Sequence, residues 1–415
     1  MQNFEINSST IDKIKKITKK EKNFRNQNLD FFKSVGFPNK RLEDWKFSDF
    51  KDIINKNFEK LDVQKSTNNT QQINLLKNFD HNYIFLINGN LSSSNFDFEE
   101  KNKIKINIYE GDTDYQISKN PLVCLNHALA EGGYSLEVDN NYKFKKSLVI
   151  YNFFTKDINN KILNSKNRIL INENSELHVI EYTINESQFN FISNVHENII
   201  LKKNSKLKNL HLQNNKSNGF FHKFVRNKLF ENSDYSNLIF SSGLKFNKLD
   251  IECDLVENEC NCNIMSALFL NKDEHQEIKT RINHLAPNCK SYQKVKKVLN
   301  SESKGIYQGK IYVKDIAQKT NAYQLSKALL INDNAEFNSK PELEIYADDV
   351  KCTHGSTSGN IDEDSLYYLM SRGLNREDSI KLLIKGFLND IVESIKSHSI
   401  KSFVEKKLED QINGR

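Results

Sequence analysis

The sequence contains no long hydrophobic run. Its most apolar stretch, Leu148 to Phe154, is far shorter than the roughly 20 residues that a helix needs to span a bilayer. Residues 1–20 are polar and basic, and they lack the continuous apolar segment of a secretory signal. We therefore expect a cytoplasmic protein that is neither exported nor bound to a membrane.

Several signatures of catalysis and ligand binding are also missing. The sequence has no Gly-x-x-x-x-Gly-Lys-Ser/Thr loop, no dinucleotide-binding fingerprint and no Gly-x-Ser-x-Gly elbow. The chain is therefore not expected to hydrolyse ATP by itself. Its 60 Lys and Arg residues nearly balance 54 Asp and Glu residues, and no basic block dominates, so nucleic acid is not the expected partner.

Cysteine is scarce, with six residues scattered through 415. This distribution favours free thiols in a reducing compartment over a disulfide framework. Cys260 and Cys262, with Cys253 nearby, could be interpreted as a metal site. Cysteines inside a strand solenoid commonly pack as small apolar side chains, however, and packing is the interpretation we favour.

The N-terminal part of the chain has helical periodicity. Isoleucines recur at helical spacing from Ile11 to Ile17, and the apolar pattern continues until Pro38. A polar stretch over 61–80 is typical of a linker or mobile loop. We therefore predict an N-terminal helical region with its linker over residues 1–80, followed by a mixed segment over 81–134 that leads into the core.

Between residues 135 and 360 the sequence consists of short β-prone runs joined by polar turns. An apolar strand, an Asn-containing turn and a second alternating strand recur, with turns about 26 to 30 residues apart. A repeat of this length without helices predicts a solenoid of strands, although a β-sandwich with Asn-rich turns is an alternative. The clearest turns are Glu173-Asn174-Ser175, Lys203-Asn204-Ser205 and Glu231-Asn232-Ser233, and similar polar turn sequences follow at Glu257-Asn258-Glu259 and Asp333-Asn334-Ala335.

Residues 361–415 return to helix. Asp362 begins a short helix that ends near Gly373, and Asn375 caps a longer helix with an apolar stripe from Ile380 to Ile395. Such an apolar stripe must pack against another apolar surface, because it would otherwise be exposed to water. We expect this helix to close the open end of the solenoid, which would otherwise expose strand edges.

The segment from Ser339 to Gly355 resembles the signature of the SufB/SufD family of iron–sulfur cluster assembly proteins. Its Asp-Asp-Val-Lys-Cys-x-His-Gly motif resembles the SufD branch more than the SufB branch. Supporting matches are spread over nearly the whole chain, at Arg41 to Phe47, Leu125 to Leu129, Gln318 to Gln324 and Leu369 to Gly373.

The resemblance implies a mainly β fold, with a right-handed parallel β-helix core over 135–360 flanked by N-terminal and C-terminal helical regions. It implies a non-catalytic scaffold subunit that pairs with SufB and with the SufC ATPase, which alone binds ATP, to build and transfer Fe–S clusters. A transient Fe–S cluster at the subunit interface and reduced flavin in the complex are expected, but no residue here can be assigned to flavin. A homodimer of this chain alone is left open.

Cys352 and His354 are the candidate metal ligands. They stand two residues apart, so on an extended strand both side chains point to one face and could jointly bind a metal. Two ligands cannot complete a four-coordinate iron or zinc site, so the others would come from another chain, as at the SufB interface that the resemblance implies. The alternative is a buried cysteine beside a turn histidine. The resemblance also implies SufC docking on the C-terminal helices, for which the candidates are Leu366, Tyr368 and Arg372.

Glu344, Asp348 and Asp349 form an acidic group in the same segment. Carboxylate pairs on a parallel β-helix can cleave polysaccharides, which gives a rival enzyme hypothesis. Enzymes of that kind are usually exported, and this sequence shows no signal for export. Turn formation and strand capping are therefore the favoured roles of the three acids. A purely structural interaction partner with no ligand role is the second class of function.

Overall fold

The computed structural model describes residues 17–64, 74–109, 117–213 and 216–414, together with Phe4, Ile11, Ile14, Gly111 and Tyr115. Most of the isoleucine pattern before residue 17 and residues 65–73 of the predicted linker lie outside this range. The helices are α1 (Lys19–Val35), α2 (Phe50–Asn57), α3 (Pro121–Leu129), α4 (Glu363–Ser371), α5 (Arg376–Val392) and α6 (His398–Asn413). Among the described residues, none of the helices is both long and apolar enough to cross a membrane.

Strands form the middle of the chain. They are β1 (Asp62–Val63), β2 (Asn82–Ile87), β3 (Asn90–Asn95), β4 (Ile104–Ile108), β5 (Tyr134–Val138), β6 (Leu148–Phe154), β7 (Lys161–Ile171), β8 (Glu176–Asn185), β9 (Phe191–Leu201), β10 (Lys206–Gln213), β11 (Ser217–Leu229), β12 (Asp234–Ser241), β13 (Leu244–Leu255), β14 (Asn261–Leu270), β15 (His275–His284), β16 (Lys290–Leu299), β17 (Lys304–Val313), β18 (Asn321–Leu330), β19 (Glu336–Ile345) and β20 (Lys351–Asn360).

Strands β5 to β20 wind into a parallel solenoid. Sheet 1 has the order β19-β17-β15-β13-β11-β9-β7-β5-β4, with β1 paired to β7, and sheet 2 has the order β20-β18-β16-β14-β12-β10-β8-β6-β2-β3. Each coil thus gives one strand to each sheet, and the described residues contain eight such coils. The predicted mainly β solenoid with helical flanks is confirmed, and the sandwich alternative is wrong because every strand from β7 onward pairs in parallel with the second strand before it. The right-handed sense stays a prediction.

The first coils are built partly from the segment that precedes residue 135. Strand β2 pairs in parallel with β6, so sheet 2 already begins at Asn82. Antiparallel partners β3 and β4 then terminate the two sheets at this end of the solenoid. The solenoid is therefore finished by antiparallel strands at its N-terminal end and by the parallel strands β19 and β20 at the other.

The Asn-containing turns lie at the corner between each sheet 1 strand and the following sheet 2 strand. Asn141, Asn174, Asn204 and Asn232 adopt left-handed backbone conformations with φ between 54° and 58°, which asparagine tolerates better than most residues. The Nδ2 of each of the last three donates to the Oδ1 one coil earlier, over 2.8 to 2.9 Å. This amide ladder explains why the sequence repeats asparagine at the coil period.

Two of the predicted turns differ from this pattern. In the turn before β14 the left-handed residue is Glu259, and Asn258 precedes it. The turn at Asp333-Asn334-Ala335 lies between β18 and β19, at the opposite corner of the coil. The polar turn at Asp333-Asn334-Ala335 resembles the others in sequence because both corners of the coil are polar.

The helical regions cover the outer faces of the two sheets. The N-terminal region packs on sheet 1, where Trp45 and Phe50 join Ile192 and Phe246 in one buried cluster. The C-terminal helices pack on sheet 2, where Ile384, Leu388 and Phe403 join apolar residues such as Leu210 and Met265. Both outer faces carry apolar rows that would otherwise be exposed to water.

The position of the C-terminal helices corrects a prediction. Asn375 accepts a hydrogen bond from the Asp378 backbone N–H over 2.8 Å, and Asp362 accepts one from Ser365 over 3.0 Å, so both predicted N-caps are confirmed. The expectation that the longer helix closes the open end of the solenoid is wrong. The apolar face of α5 lies instead on the side of sheet 2, and the edges of β19 and β20 stay uncovered by the described residues.

Candidate functional site

The last coil of the solenoid is the first feature of the candidate site. Among the described strands, β19 and β20 each have a neighbour on one side only, as β3 and β4 do at the other end, so one row of backbone N–H and C=O groups on β19 and on β20 faces away from the sheet. Most residues of β20 are exposed. An uncovered strand edge of this kind favours pairing with another chain.

Cys352 and His354 lie on β20, the last strand of sheet 2. Cys352 pairs in register with Ala322 and His354 with Gln324, and both partners are buried inside the solenoid. Because side chains on a strand alternate between its two faces, both candidates belong to rows that face the interior. They stand at the open end of those rows, where a partner could contact them.

The two side chains differ in their surroundings. Cys352 is half-buried and packs with Ile311, Val313 and Ala322, and this burial raises the pKa of its thiol. The isolated chain therefore holds this cysteine protonated at neutral pH, whereas a metal ligand must be a thiolate. His354 is exposed. In the part of the chain that the structure describes, no group of three or more His, Cys, Asp and Glu side chains is arranged to hold a metal ion.

A polar row inside the solenoid leads to His354. The register places Asn209, Asn237, Gln293 and Gln324 in line with it, interrupted by Ile264 in the middle coil. All four polar residues are buried. This row was not predicted from the sequence, although alignment of the repeats at the coil period brings its residues into one column.

The acidic residues Glu344, Asp348 and Asp349 lie near the open end, on β19 and in the turn that follows it. The Glu344 carboxylate lies 2.5 Å from Lys310 Nζ and accepts a hydrogen bond from the Tyr346 hydroxyl, and the lysine contact lowers the pKa of Glu344. Asp348 and Asp349 lie in the turn between β19 and β20. The Asp349 backbone N–H donates to Gln318 Oε1 over 2.9 Å, which links this turn to the previous coil. Glu344 thus pairs with a residue of the neighbouring strand, and Asp348 and Asp349 lie in a turn; the turn-forming role of the acids stays a prediction.

Cys260 and Cys289 occupy a position that hydroxyl residues fill in other coils. Each follows the left-handed residue of its turn, as Ser205, Ser233 and Thr320 do. The Cys260 Sγ lies 3.1 Å from the carbonyl oxygens of Phe230 and Glu257, as the Ser233 hydroxyl lies 2.6 Å from Phe230 O. Cys253 and Cys262 are also buried in the interior, and all six cysteines are free thiols. This geometry supports the packing interpretation.

The C-terminal helix α4 divides the three predicted docking residues into two groups. Leu366 is only 2% exposed and packs in the cluster under the helices, so it anchors α4, which differs from the contact role predicted for it. Tyr368 is 56% exposed, and the Arg372 guanidinium stacks 5.1 Å from the centre of its ring. Tyr367 and Met370, which were not predicted as docking residues, are exposed on the same helix. Their spacing of three residues marks one helical face.

The segment Arg41 to Phe47 packs the N-terminal region against sheet 1. Its Trp45 is buried, and the ammonium of Lys248 lies 4.7 Å from the centre of the indole ring. Lys248 also donates to the Asp44 carbonyl over 2.9 Å and pairs with Glu277. Burial lowers and nearby carboxylates raise the pKa of Lys248, with a net increase. No sequence signal distinguished this lysine from an ordinary surface residue.

Comparison with known proteins identifies the family. A model described as "SUF system FeS cluster assembly, SufBD core domain" matches residues 153–387, which is more than half of the chain. The chain belongs to the SufBD family. The match includes every strand from β7 to β20, and therefore the open end with Cys352 and His354. The resemblance noted in the sequence is thereby confirmed.

Individual SufBD relatives extend the comparison. The chain is 24% identical over 398 residues to "Iron-sulfur cluster assembly protein SufD" of Escherichia coli (strain K12), covering 94% of this chain and 92% of that protein. It is 31% identical over 140 residues to the protein of the same name in Bacillus subtilis (strain 168), and this match covers 33% of this chain and 32% of that protein. It is 26% identical over 235 residues to "Protein ABCI7, chloroplastic" of Arabidopsis thaliana, covering 56% of this chain and half of that protein.

Proposed function

We propose that this SufBD chain is the SufD-type scaffold subunit of a cytoplasmic complex that assembles and transfers Fe–S clusters. It pairs through the end of its solenoid with a SufB sister subunit and binds a SufC ATPase through its C-terminal helices. The chain itself performs no catalysis, and ATP is bound by the partner. The observation that carries this proposal is the open last coil with Cys352 and His354 at its mouth.

The pairing step is supported by the edge strands and the exposed side chains at the C-terminal end of the solenoid, where the candidate ligands also lie. Antiparallel strands finish the sheets at the N-terminal end, whereas β19 and β20 finish them at the other with parallel edges. Tyr346 is 60% exposed and Ile316 is 55% exposed near that open end. Backbone edge groups together with exposed apolar side chains are what strand addition from a second subunit uses.

The position of Cys352 and His354 on one face of β20 supports the ligand role. One thiolate and one imidazole leave at least two positions of a four-coordinate iron unfilled, so ligands from the sister subunit complete the site only in the complex. Iron and sulfide are then the cargo of the site. The isolated chain is expected to bind iron weakly, and pairing should raise bound iron and sulfide together under reducing, oxygen-free conditions.

The test uses His354→Ala in the reconstituted complex, with Thr353→Ala as its matched control. Thr353 is also exposed on β20 but, by alternation, points to the outer face. We expect His354→Ala to abolish cluster assembly, measured by iron and sulfide content and by cluster absorbance, while gel filtration shows an intact complex. Thr353→Ala should keep full assembly. Normal assembly by His354→Ala would instead leave the chain as an interaction scaffold with no ligand role.

The ATPase-binding step is tested on the exposed face of α4. Replacing Tyr368 or Arg372 with alanine should weaken SufC capture in a pull-down without changing the melting temperature, because both side chains are exposed. Lys401→Ala on α6 is the control, since Lys401 pairs with Glu393 on the described surface of the same region. Undiminished capture by the Tyr368 and Arg372 variants would remove the docking surface from the proposal.

A further inference from the structure

Lys297 places its amino group inside the solenoid. It lies on β16, where it pairs in register with Leu268 and Ala328, two residues of the interior core. Its side chain is fully buried, and its Nζ has no hydrogen-bond partner among the described residues. An ammonium in this position is strongly unfavourable unless a counter-charge or hydrogen-bond acceptors surround it.

The groups around Lys297 do not supply that counter-charge. The aromatic rings of Tyr307 on β17 and Phe337 on β19 lie 5.7 and 5.6 Å from the Nζ, a separation at which a ring face attracts a cation weakly. The acidic residue that acts on it is Glu277 on β15. Its carboxylate is already shared by Lys248, Ser48 and Gln308. Burial therefore dominates and holds the pKa of Lys297 well below its ordinary value.

Two hydroxyl groups near this lysine also lack partners. Ser339 on β19 pairs in register with Tyr307, and Ser326 on β18 stands two residues before Ala328, so that its side chain faces the same interior. The Oγ atoms of both serines are buried without a hydrogen-bond partner among the described residues. Three buried donors from three successive coils, on β16, β18 and β19, thus have no hydrogen-bond partner among the described residues.

We propose that the interior of the last three coils binds one small monovalent anion of halide size against Lys297 Nζ, with the Ser326 and Ser339 hydroxyls as further donors. The anion supplies in one step the missing charge and the missing acceptor. Small side chains separate this site from the open end, since Ala328 and the exposed Ser358 follow Lys297 in the same interior row. The site is distinct from Cys352 and His354 and does not depend on their role.

The test measures thermal stability of the isolated full chain against bromide at constant ionic strength, with gluconate as the replacing anion. Ligand binding to the folded state raises stability in a saturable manner. We expect the melting temperature of the wild type to rise with bromide and then level off. Lys297→Met should abolish this dependence, because methionine fits the same space without charge. Lys290→Met, at the exposed start of the same strand, should keep it.

A second measurement locates the ion and holds even where Lys297→Met does not fold. Crystals of the wild type soaked in bromide should show an anomalous peak within hydrogen-bond distance of Lys297 Nζ. Ser326→Ala and Ser339→Ala should each increase the bromide concentration needed for half-maximal stabilisation by several-fold. Bromide stabilisation that is equal in Lys297→Met, no stabilisation in the wild type, or ordinary water in place of the peak would each overturn the proposal.

Discussion

Replacing Lys248 with methionine should destabilise the fold by breaking a buried charge cluster. The ammonium is fully buried and pairs with Glu277, and it lies 3.4 Å from Asp250 Oδ1. Removing one partner of a buried ion pair costs about 3–5 kcal/mol, because the remaining charges stay buried without compensation. Glu277 keeps its bond from Gln308 in the variant. We therefore expect the lower part of that range, about 3 kcal/mol.

The pH dependence gives this prediction a second, independent check. Burial would raise the pKa of Asp250, but the neighbouring Lys248 ammonium outweighs it and holds that pKa well below its ordinary value. The stabilisation is thus complete above the unfolded pKa of about 3.9 and is lost as the pH falls below it toward the folded value. Without Lys248, burial dominates and Asp250 favours the neutral form. The stability difference between wild type and variant should therefore shrink below about pH 4.

Urea unfolding followed by far-ultraviolet circular dichroism measures both effects. Lys203→Met is the matched control, since Lys203 pairs with Glu231 at 2.7 Å on the surface with 48% of its side chain exposed. An exposed pair of this kind contributes about 0–1 kcal/mol. A Lys248→Met variant that loses no more stability than the control, or whose deficit is unchanged at low pH, would refute the assignment of the cluster.

Three further predictions concern the repeat and the interior. Asn204→Ala should destabilise the fold by about 2 kcal/mol in urea unfolding. The substitution removes two hydrogen bonds of the amide ladder and places alanine in a left-handed backbone conformation. An unchanged unfolding midpoint would contradict this prediction. Cys260→Ser should change stability by less than about 1 kcal/mol, since serine fills the equivalent position at Ser233. Burial would raise the pKa of Glu181, but Lys223 and His211 lower that pKa overall. The free energy of unfolding of the wild type should therefore fall as the pH drops below about 4. In Glu181→Gln this fall with decreasing pH should be smaller.

Much of the fold was predictable because its signals are local. The αL turn needs asparagine or a similarly tolerant residue within the turn itself, so it leaves a mark at every coil period. Helix caps such as Asp362 and Asn375 bond to residues three positions away, and both were found. The common face of Cys352 and His354 follows from strand alternation alone.

The failures came from contacts that are distant in sequence. The apolar stripe of α5 showed that the helix must be covered, but the choice between the solenoid end and the side of sheet 2 depended on which partner surface was apolar. Leu366 was named as a contact residue, yet its burial depends on helices that follow it in the chain. Lysine is almost never fully buried, so the residue type of Lys297 predicts a surface position. Only the stacking of the coils places it inside.

The sequence by itself determined the coil length, the turn chemistry, the N-caps Asp362 and Asn375 and the membership in the SufBD family, because each depends on residues that lie within one repeat or one motif. Tertiary structure alone decided which side chains face the interior column, which sheet faces the helical regions cover, and which end of the solenoid stays open. The physical reason is distance along the chain: stacked coils join residues about 30 positions apart, and Lys248 reaches Asp44 across 204 residues. The repeat period indicates the pairs between stacked coils, but it carries no information about a pair such as Lys248 and Asp44.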